Sequence, residues 1–153
     1  MQPRLNPYQA APEAMKALTE LEKYVRNSGI ESTLIELVKT RASQINGCAY
    51  CIYMHTRDAR ARGETEERLY LLDAWYESSL YTERERAALA WTEAVTLVSQ
   101  THVPDAVYEE ARRHFSEGEL VKLTLLVATI IAWNRMAISF RSMPPAKPSH
   151  AAA

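Results

Sequence analysis

From Pro12 to Pro104 the chain runs without a proline. A proline inside a helix removes a backbone hydrogen bond and collides with the preceding turn, costing about 3 kcal/mol or more, so this stretch is open to unbroken helices. The other prolines sit at the ends. Pro3, Pro7 and Pro12 mark an extended N-terminal arm over residues 1–12, and Pro144, Pro145 and Pro148 mark a flexible tail over 143–153. Residues 13–142 are left as one helical domain. Gly29, Gly47, Gly63 and Gly118 fall at gaps in the apolar pattern and read as punctuation between helices.

Apolar residues recur at helical spacing in a series of segments. Met15, Leu18, Leu21 and Val25 define a first helix over 13–27; Leu34, Leu37, Val38, Ala42 and Ile45 share a face of a second over 32–45. A third runs over 48–62, entered through the Asn46-Gly47 turn, and a fourth over 66–75. Thr82 with Glu85, and Ser116 with Glu119, have the capping-box spacing, in which hydroxyl and carboxylate each satisfy the other residue's free amide. They open a fifth helix reaching residue 99 and a seventh reaching 140, with a sixth over 105–114 between them. No segment alternates with a period of two, so the expected fold is an all-α, single-domain bundle of about six to seven helices.

Composition narrows the function classes. A chain of 153 residues can bury roughly 68–70% of its unfolded surface and needs no staple to fold. The 18 Lys+Arg and 19 Asp+Glu leave a net charge of -1, which gives no electrostatic footprint for nucleic acid or anionic membrane. Met1-Gln-Pro-Arg lacks the apolar core of a secretory signal, and the greasiest stretch, 123–133, is broken by Thr124 and Thr129 and is too short to span a bilayer. A cytoplasmic location is expected, where cysteines are normally kept reduced. The seventh helix is apolar nearly all round from Leu120 to Ile138; one small bundle cannot surround it on every side, so a homo-oligomeric interface is expected.

Chemistry concentrates in Cys48-Ala-Tyr50-Cys51-Ile-Tyr-Met-His55, at the start of the third helix. At 3.6 residues per turn, Cys48, Cys51 and His55 lie within about 60° of one another around the axis. Cys51 and His55 are i, i+4 neighbours, so the imidazole is placed to take the thiol proton or stabilise the thiolate, and the helix N-terminus favours thiolate at Cys48. A structural disulfide is disfavoured because so short a loop removes little chain entropy. Two thiolates and an imidazole are three zinc ligands without a fourth in the motif. Ile52 stands where a haem-attachment motif needs histidine. A thiol redox site fits best. Glu36, on the second helix, is a candidate carboxylate to orient the histidine, although its wheel position opposite Leu34, Val38 and Ile45 reads as a solvated face.

The string from Glu36 through Arg41-Ala-Ser-Gln-Ile-Asn-Gly-Cys48-Ala-Tyr-Cys51 to His55-Thr-Arg-Asp-Ala-Arg and Gly63-Glu-Thr resembles the AhpD-like alkylhydroperoxidase and carboxymuconolactone decarboxylase family. Eleven residues separate Glu36 from Cys48, and three separate Cys51 from His55, as in that family; the segment around Arg84-Glu-Arg-Ala-Ala-Leu-Ala-Trp91-Thr is similar to its later helix. The resemblance implies an all-α fold assembled as trimers or hexamers and a peroxidase that works without metal or other cofactor. By the same resemblance Cys51 is the thiol attacked by hydroperoxide, Cys48 is the resolving thiol that closes a redox disulfide, and Glu36 with His55 is the proton relay. It further implies an external dithiol reductant, lipoylated or of thioredoxin type, and a Glu36 face turned away from bulk solvent. Tyr50 departs from the pattern, since AhpD enzymes carry histidine there. The family's decarboxylase branch works without the thiol pair, so both cysteines favour peroxide chemistry. A redox-sensing or disulfide-exchange oligomer, lactone decarboxylation and a zinc module are the alternatives.

The remaining polar and aromatic residues read plainly. His102 is expected at a surface turn, His114 at a helix C-terminus where it complements the dipole, and His150 in the tail. Trp75, Trp91 and Trp133 are expected to fill the core. Tyr50, Tyr53 and Tyr76 are candidates for lining a pocket, and Arg57, Arg60 and Arg62 for a solvated face.

Overall fold

The computed structural model describes residues 2–145, and among these every regular element is helical. Nine α-helices and a 3-10 turn are found: α1 Pro7–Ala10, α2 Pro12–Arg26, α3 Ser32–Asn46, α4 Ala49–Ala61, α5 Glu66–Tyr70, the 3-10 turn Leu72–Glu77, α6 Glu83–Thr96, α7 Val98–Thr101, α8 Asp105–His114 and α9 Glu117–Phe140. His150 and the terminal alanines lie outside the described residues.

Five of the expected helices appear within a residue or two of their expected limits, and both capping boxes form. Three differences have local causes. The arm is not wholly extended: Asn6 caps α1, whose first residue, Pro7, already has the dihedral a helix needs. The fourth segment breaks at Leu71 into α5 and the 3-10 turn, because Leu69, Leu72 and Trp75 all bury into one cluster and their three-residue spacing matches the 3-10 period. The fifth ends at Thr96, and the separate turn of α7 closes before Pro104, with His102 and Val103 both at φ 50.

The core explains why α3 is central. Leu34, Ile35 and Val38 face Val25, Trp91, Phe115, Leu123 and Leu126; Leu37 faces the opposite way, toward Leu69, Leu72, Trp75 and Leu89. Packed against α4, α6 and α9, every residue from Leu34 to Thr40 is buried. Glu36, Lys39, Thr40 and Ser43 are therefore carried inside, where each must find a partner. Helix α9 is 24 residues long with a mean hydropathy of 1.6 in its most apolar window, enough by length and composition to cross a membrane and longer than the sequence stretch suggested. Here it is the core helix. Leu123, Leu126, Val127 and Ile130 are fully buried, each contributing about 1.5–3 kcal/mol, and Asn134 donates to Ser43 Oγ at 3.0 Å.

Candidate active site

The turn between α3 and α4 sets the position of the motif. Gly47, at φ 67, takes the left-handed conformation that ends α3, so that its own amide reaches Gln44 O at 3.1 Å and the Cys48 amide reaches Ser43 O at 3.0 Å. The chain then enters α4 at once. Cys48 is its N-cap, with Sγ accepting from the Cys51 amide at 3.4 Å, and the two cysteines are joined as a disulfide with their Cα atoms 5.3 Å apart. Cys48, Cys51 and His55 are all buried, beside Ala42, Ile130 and Ala137.

Glu36 comes to this row from α3. Its Oε2 lies 2.8 Å from His55 Nδ1, and its side chain is 0% exposed, which overturns the solvated reading of its wheel position and agrees with what the family resemblance implied. A carboxylate only accepts, so Nδ1 carries the proton and Nε2 is the free ring nitrogen. Burial pushes the Glu36 carboxyl up, but hydrogen bonds from His55 and Arg26 and the Arg26 charge outweigh it and hold the group at about 2. Burial pushes the His55 imidazole below its usual value; the Glu36 bond opposes this without reversing it. At neutral pH the pair is a carboxylate and a neutral imidazole, a base with its lone pair on Nε2.

A second layer of charge stands behind Glu36. Arg26 on α2 donates Nη1 to Glu36 Oε1 at 2.8 Å and Nε to Glu22 Oε1 at 2.5 Å. Glu22 Oε1 also accepts from Lys39 Nζ, and Glu22 Oε2 from the Trp133 indole at 3.2 Å. Lys39, fully buried, has its pKa lowered by burial, against the pull of Glu22. The result is one connected array from Lys39 through Glu22, Arg26 and Glu36 to His55.

The array faces a cavity of about 570 Å3 whose wall includes Cys51, His55, Tyr50, Glu22, Arg26 and Trp133 but not Cys48. Of the two cysteines, Cys51 is the one on the cavity wall. Among the described residues no three His, Cys, Asp or Glu side chains converge as metal ligands while Cys48 and Cys51 are joined as the disulfide.

Residues 12–94 match the model of the carboxymuconolactone decarboxylase family. The chain belongs to that family. It is 45% identical over 147 residues to the uncharacterized protein YdfG of Bacillus subtilis (strain 168), covering 96% of this chain and all of YdfG. A crystal structure of an Agrobacterium tumefaciens protein of unknown function, described as a candidate antioxidant defence protein AhpD, superposes with a TM-score of 0.93 at 46% identity, over 95% of this chain and 100% of that one. The debrominase Bmp8 shares the fold alone, with a TM-score of 0.81 at 24% identity, over 90% of this chain and 74% of Bmp8.

Within this carboxymuconolactone decarboxylase family fold, Cys48, Cys51, His55, Glu36 and Tyr50 are brought together, and several other readings change. Trp75 and Trp91 fill the core, whereas Trp133 lines the cavity and holds Glu22. Tyr53 instead packs under Arg57, and Tyr76 is exposed. Arg57 and Arg60 are solvated, but Arg62 Nη2 reaches within 3.8 Å of Glu36 Oε1. His102 is an exposed helix end, and His114 Nε2 pairs with Glu110 at 3.1 Å. Sequence reasoning missed Glu22, Arg26 and Lys39. The signal available for the first two was their i, i+4 spacing, which looks the same in any surface ion pair.

Proposed function

We propose that this protein reduces hydroperoxides through a Cys51 sulfenic acid and a Cys48–Cys51 disulfide, with His55 and Glu36 moving the proton. The observation that carries the reading is that Cys51 and His55 share one cavity wall and that His55 Nδ1 is held by the buried Glu36 carboxylate. In the reduced protein His55 Nε2 takes the Cys51 proton. The thiolate attacks the terminal oxygen of ROOH, the O–O bond breaks, and the returning proton completes ROH, leaving Cys51–SOH. The Cys48 sulfur then attacks that of Cys51, the S–O bond breaks, and the proton given up by the Cys48 thiol leaves with the hydroxide as water; an external dithiol of lipoylated or thioredoxin type reduces the resulting disulfide by exchange. Val121 and Ile138, exposed on α9, are apolar surface that a homo-oligomer would cover; the homotrimer or homohexamer is what the family resemblance implies.

The test is intact mass and free-thiol count of the reduced protein before and after one equivalent of hydrogen peroxide or cumene hydroperoxide. Loss of two thiols and two hydrogens is expected, with no peroxide consumed by Cys51→Ser and a dimedone-trappable sulfenic acid in Cys48→Ser. Thiols that stay reduced under excess peroxide would sink the proposal. Lactone decarboxylation would survive loss of both cysteines, and a redox sensor would oxidise once without turnover.

A further inference from the structure

Two buried residues of α9 are polar, Thr129 and Asn134. The Thr129 hydroxyl donates to Leu125 O at 2.7 Å and is satisfied within its own helix. Asn134 is satisfied from α3: its Nδ2 donates to Ser43 Oγ at 3.0 Å, and its Oδ1 accepts from Asn46 Nδ2 at 2.9 Å. A leucine would fill the same place in this apolar helix without burying an amide. What the amide adds is position, because a buried side chain bonded on both sides fixes how two helices meet more closely than apolar packing does.

The two residues that Asn134 holds belong to the turn that leads to Cys48. Ser43 O accepts the Cys48 amide at 3.0 Å, and Asn46 is the last residue of α3, followed by Gly47 in the left-handed conformation. Cys51 lies inside the first turn of α4, where helical geometry sets its place. Cys48 lies just outside the helix, at φ -87 and ψ 92. Its carbonyl is held by α4, through the Ile52 amide at 2.9 Å, but its own amide is held from the α3 side. How well the two sulfurs meet therefore depends on how firmly the turn is tied down, and Asn134 ties it to α9.

We infer that Asn134 is a positioning residue for the Cys48–Cys51 couple: by tying the α3–α4 turn to α9 it holds Cys48 where the disulfide closes, and so favours the oxidised form. The inference rests on the proposed thiol chemistry in one respect, that the disulfide opens and closes, and is independent of what oxidises Cys51. Opening takes two electrons and two protons from a dithiol: one of its sulfurs attacks the disulfide, a mixed disulfide forms, and its second sulfur then displaces the protein thiol. Holding the two protein thiols in bonding position raises their effective concentration and draws this exchange back toward the protein disulfide. A contact that served the fold alone would stabilise both redox forms alike and leave the exchange constant unmoved.

The experiment equilibrates the full-length protein with mixtures of reduced and oxidised dithiothreitol and reads the disulfide fraction by thiol alkylation and intact mass. Asn134→Leu should lower the equilibrium constant for disulfide formation about tenfold, which raises the potential by about 30 mV. Asn46→Ala, which removes one of the two bonds from a half-buried place, should move it the same way by about threefold. Thr129→Val, at the other buried polar position of α9, should leave it within about twofold, because the hydroxyl bonds to its own helix. Urea unfolding of both redox forms checks folding, and Asn46→Ala carries the test if Asn134→Leu does not fold. A constant unmoved in the folded variant, or moved equally by Thr129→Val, overturns the inference. A shifted constant in a protein whose Cys51 resists peroxide supports the role of Asn134 while refuting the peroxide chemistry. Rapid oxidation by peroxide with an unshifted constant does the reverse.

Discussion

Glu36 Oε2 and His55 Nδ1 lie 2.8 Å apart, although the two residues come from different helices and are separated by the whole α3–α4 turn. The contact depends on α3 being surrounded. Had one face of α3 met solvent, Glu36 would point there, as its position on the helical wheel suggests. Because Leu34 to Thr40 are all enclosed, the carboxylate is forced inward and is satisfied by His55 on one oxygen and Arg26 on the other. The packing of the bundle and the tautomer of the imidazole are therefore one problem.

Replacing Glu36 with Gln tests that link. The amide can accept from Nδ1 only if its NH2 is accommodated elsewhere, and it no longer stabilises an imidazolium. Oxidation of Cys51 by cumene hydroperoxide, followed by stopped-flow fluorescence, should slow by roughly 10²-fold or more in Glu36→Gln and in His55→Phe, as for loss of a general base. Rates within about twofold of the unsubstituted protein would show that the pair is only structural.

Stability should fall on acidification. The folded-state pKa of Glu36 is depressed to about 2, so its contribution is present above the unfolded carboxylate value of about 4.5 and is lost as pH falls through that value toward 2. The folded-state pKa of His55 is also depressed, so below about 6.5 the unfolded chain takes up a proton that the folded one refuses. Both effects have the same sign. Denaturant midpoints should decline from pH 7 to pH 4, and the decline between pH 6.5 and pH 5 should shrink in His55→Phe; a flat profile there would contradict the assignment of a neutral buried imidazole.

The helices were legible because caps and apolar spacing are local. Thr82 with Glu85 and Ser116 with Glu119 are decided within four residues, and both form as expected. What was illegible depended on distance in sequence. Trp133 and Glu22 are 111 positions apart, and no periodicity shows that the indole turns from the core to hold a carboxylate. Lys39 is harder still, since a lysine on a helix is ordinarily solvated and only the packing of α3 against its neighbours, with Glu22 of α2 at the ammonium, encloses it. Glu36 was raised to a site residue by the family motif, and its own helix argued against it.

Lys39 and Glu22 should respond unequally to substitution. Among the described residues Glu22 is the partner that Lys39 Nζ reaches, whereas Glu22 also holds Arg26 and Trp133. Glu22→Leu leaves a buried ammonium unpaired and should cost about 3–5 kcal/mol in urea unfolding. Lys39→Met keeps an apolar stem of similar length and leaves Glu22 paired with Arg26, so a cost below about 1.5 kcal/mol is expected, as for a shape-conserving swap. Equal losses would mean that Lys39 is not held by Glu22 alone.

Tyr50 is where the chain departs from the AhpD motif, and the structure puts it on the cavity wall next to Cys51. Its phenol can donate a hydrogen bond, but it lacks the ring nitrogen that an imidazole would offer as a proton acceptor at that place. An imidazole in its place would add a second proton shuttle at the same wall without altering the Glu36–His55 pair. Tyr50→His should therefore speed reduction of cumene hydroperoxide at pH 7 by a factor of up to about 10², with the gain fading below about pH 6 as the new imidazole protonates. The comparison is made by single-turnover oxidation of the reduced protein across that pH range. An unchanged rate, in a variant whose cysteines still form the disulfide, would show that Tyr50 shapes the wall and that His55 alone moves the proton.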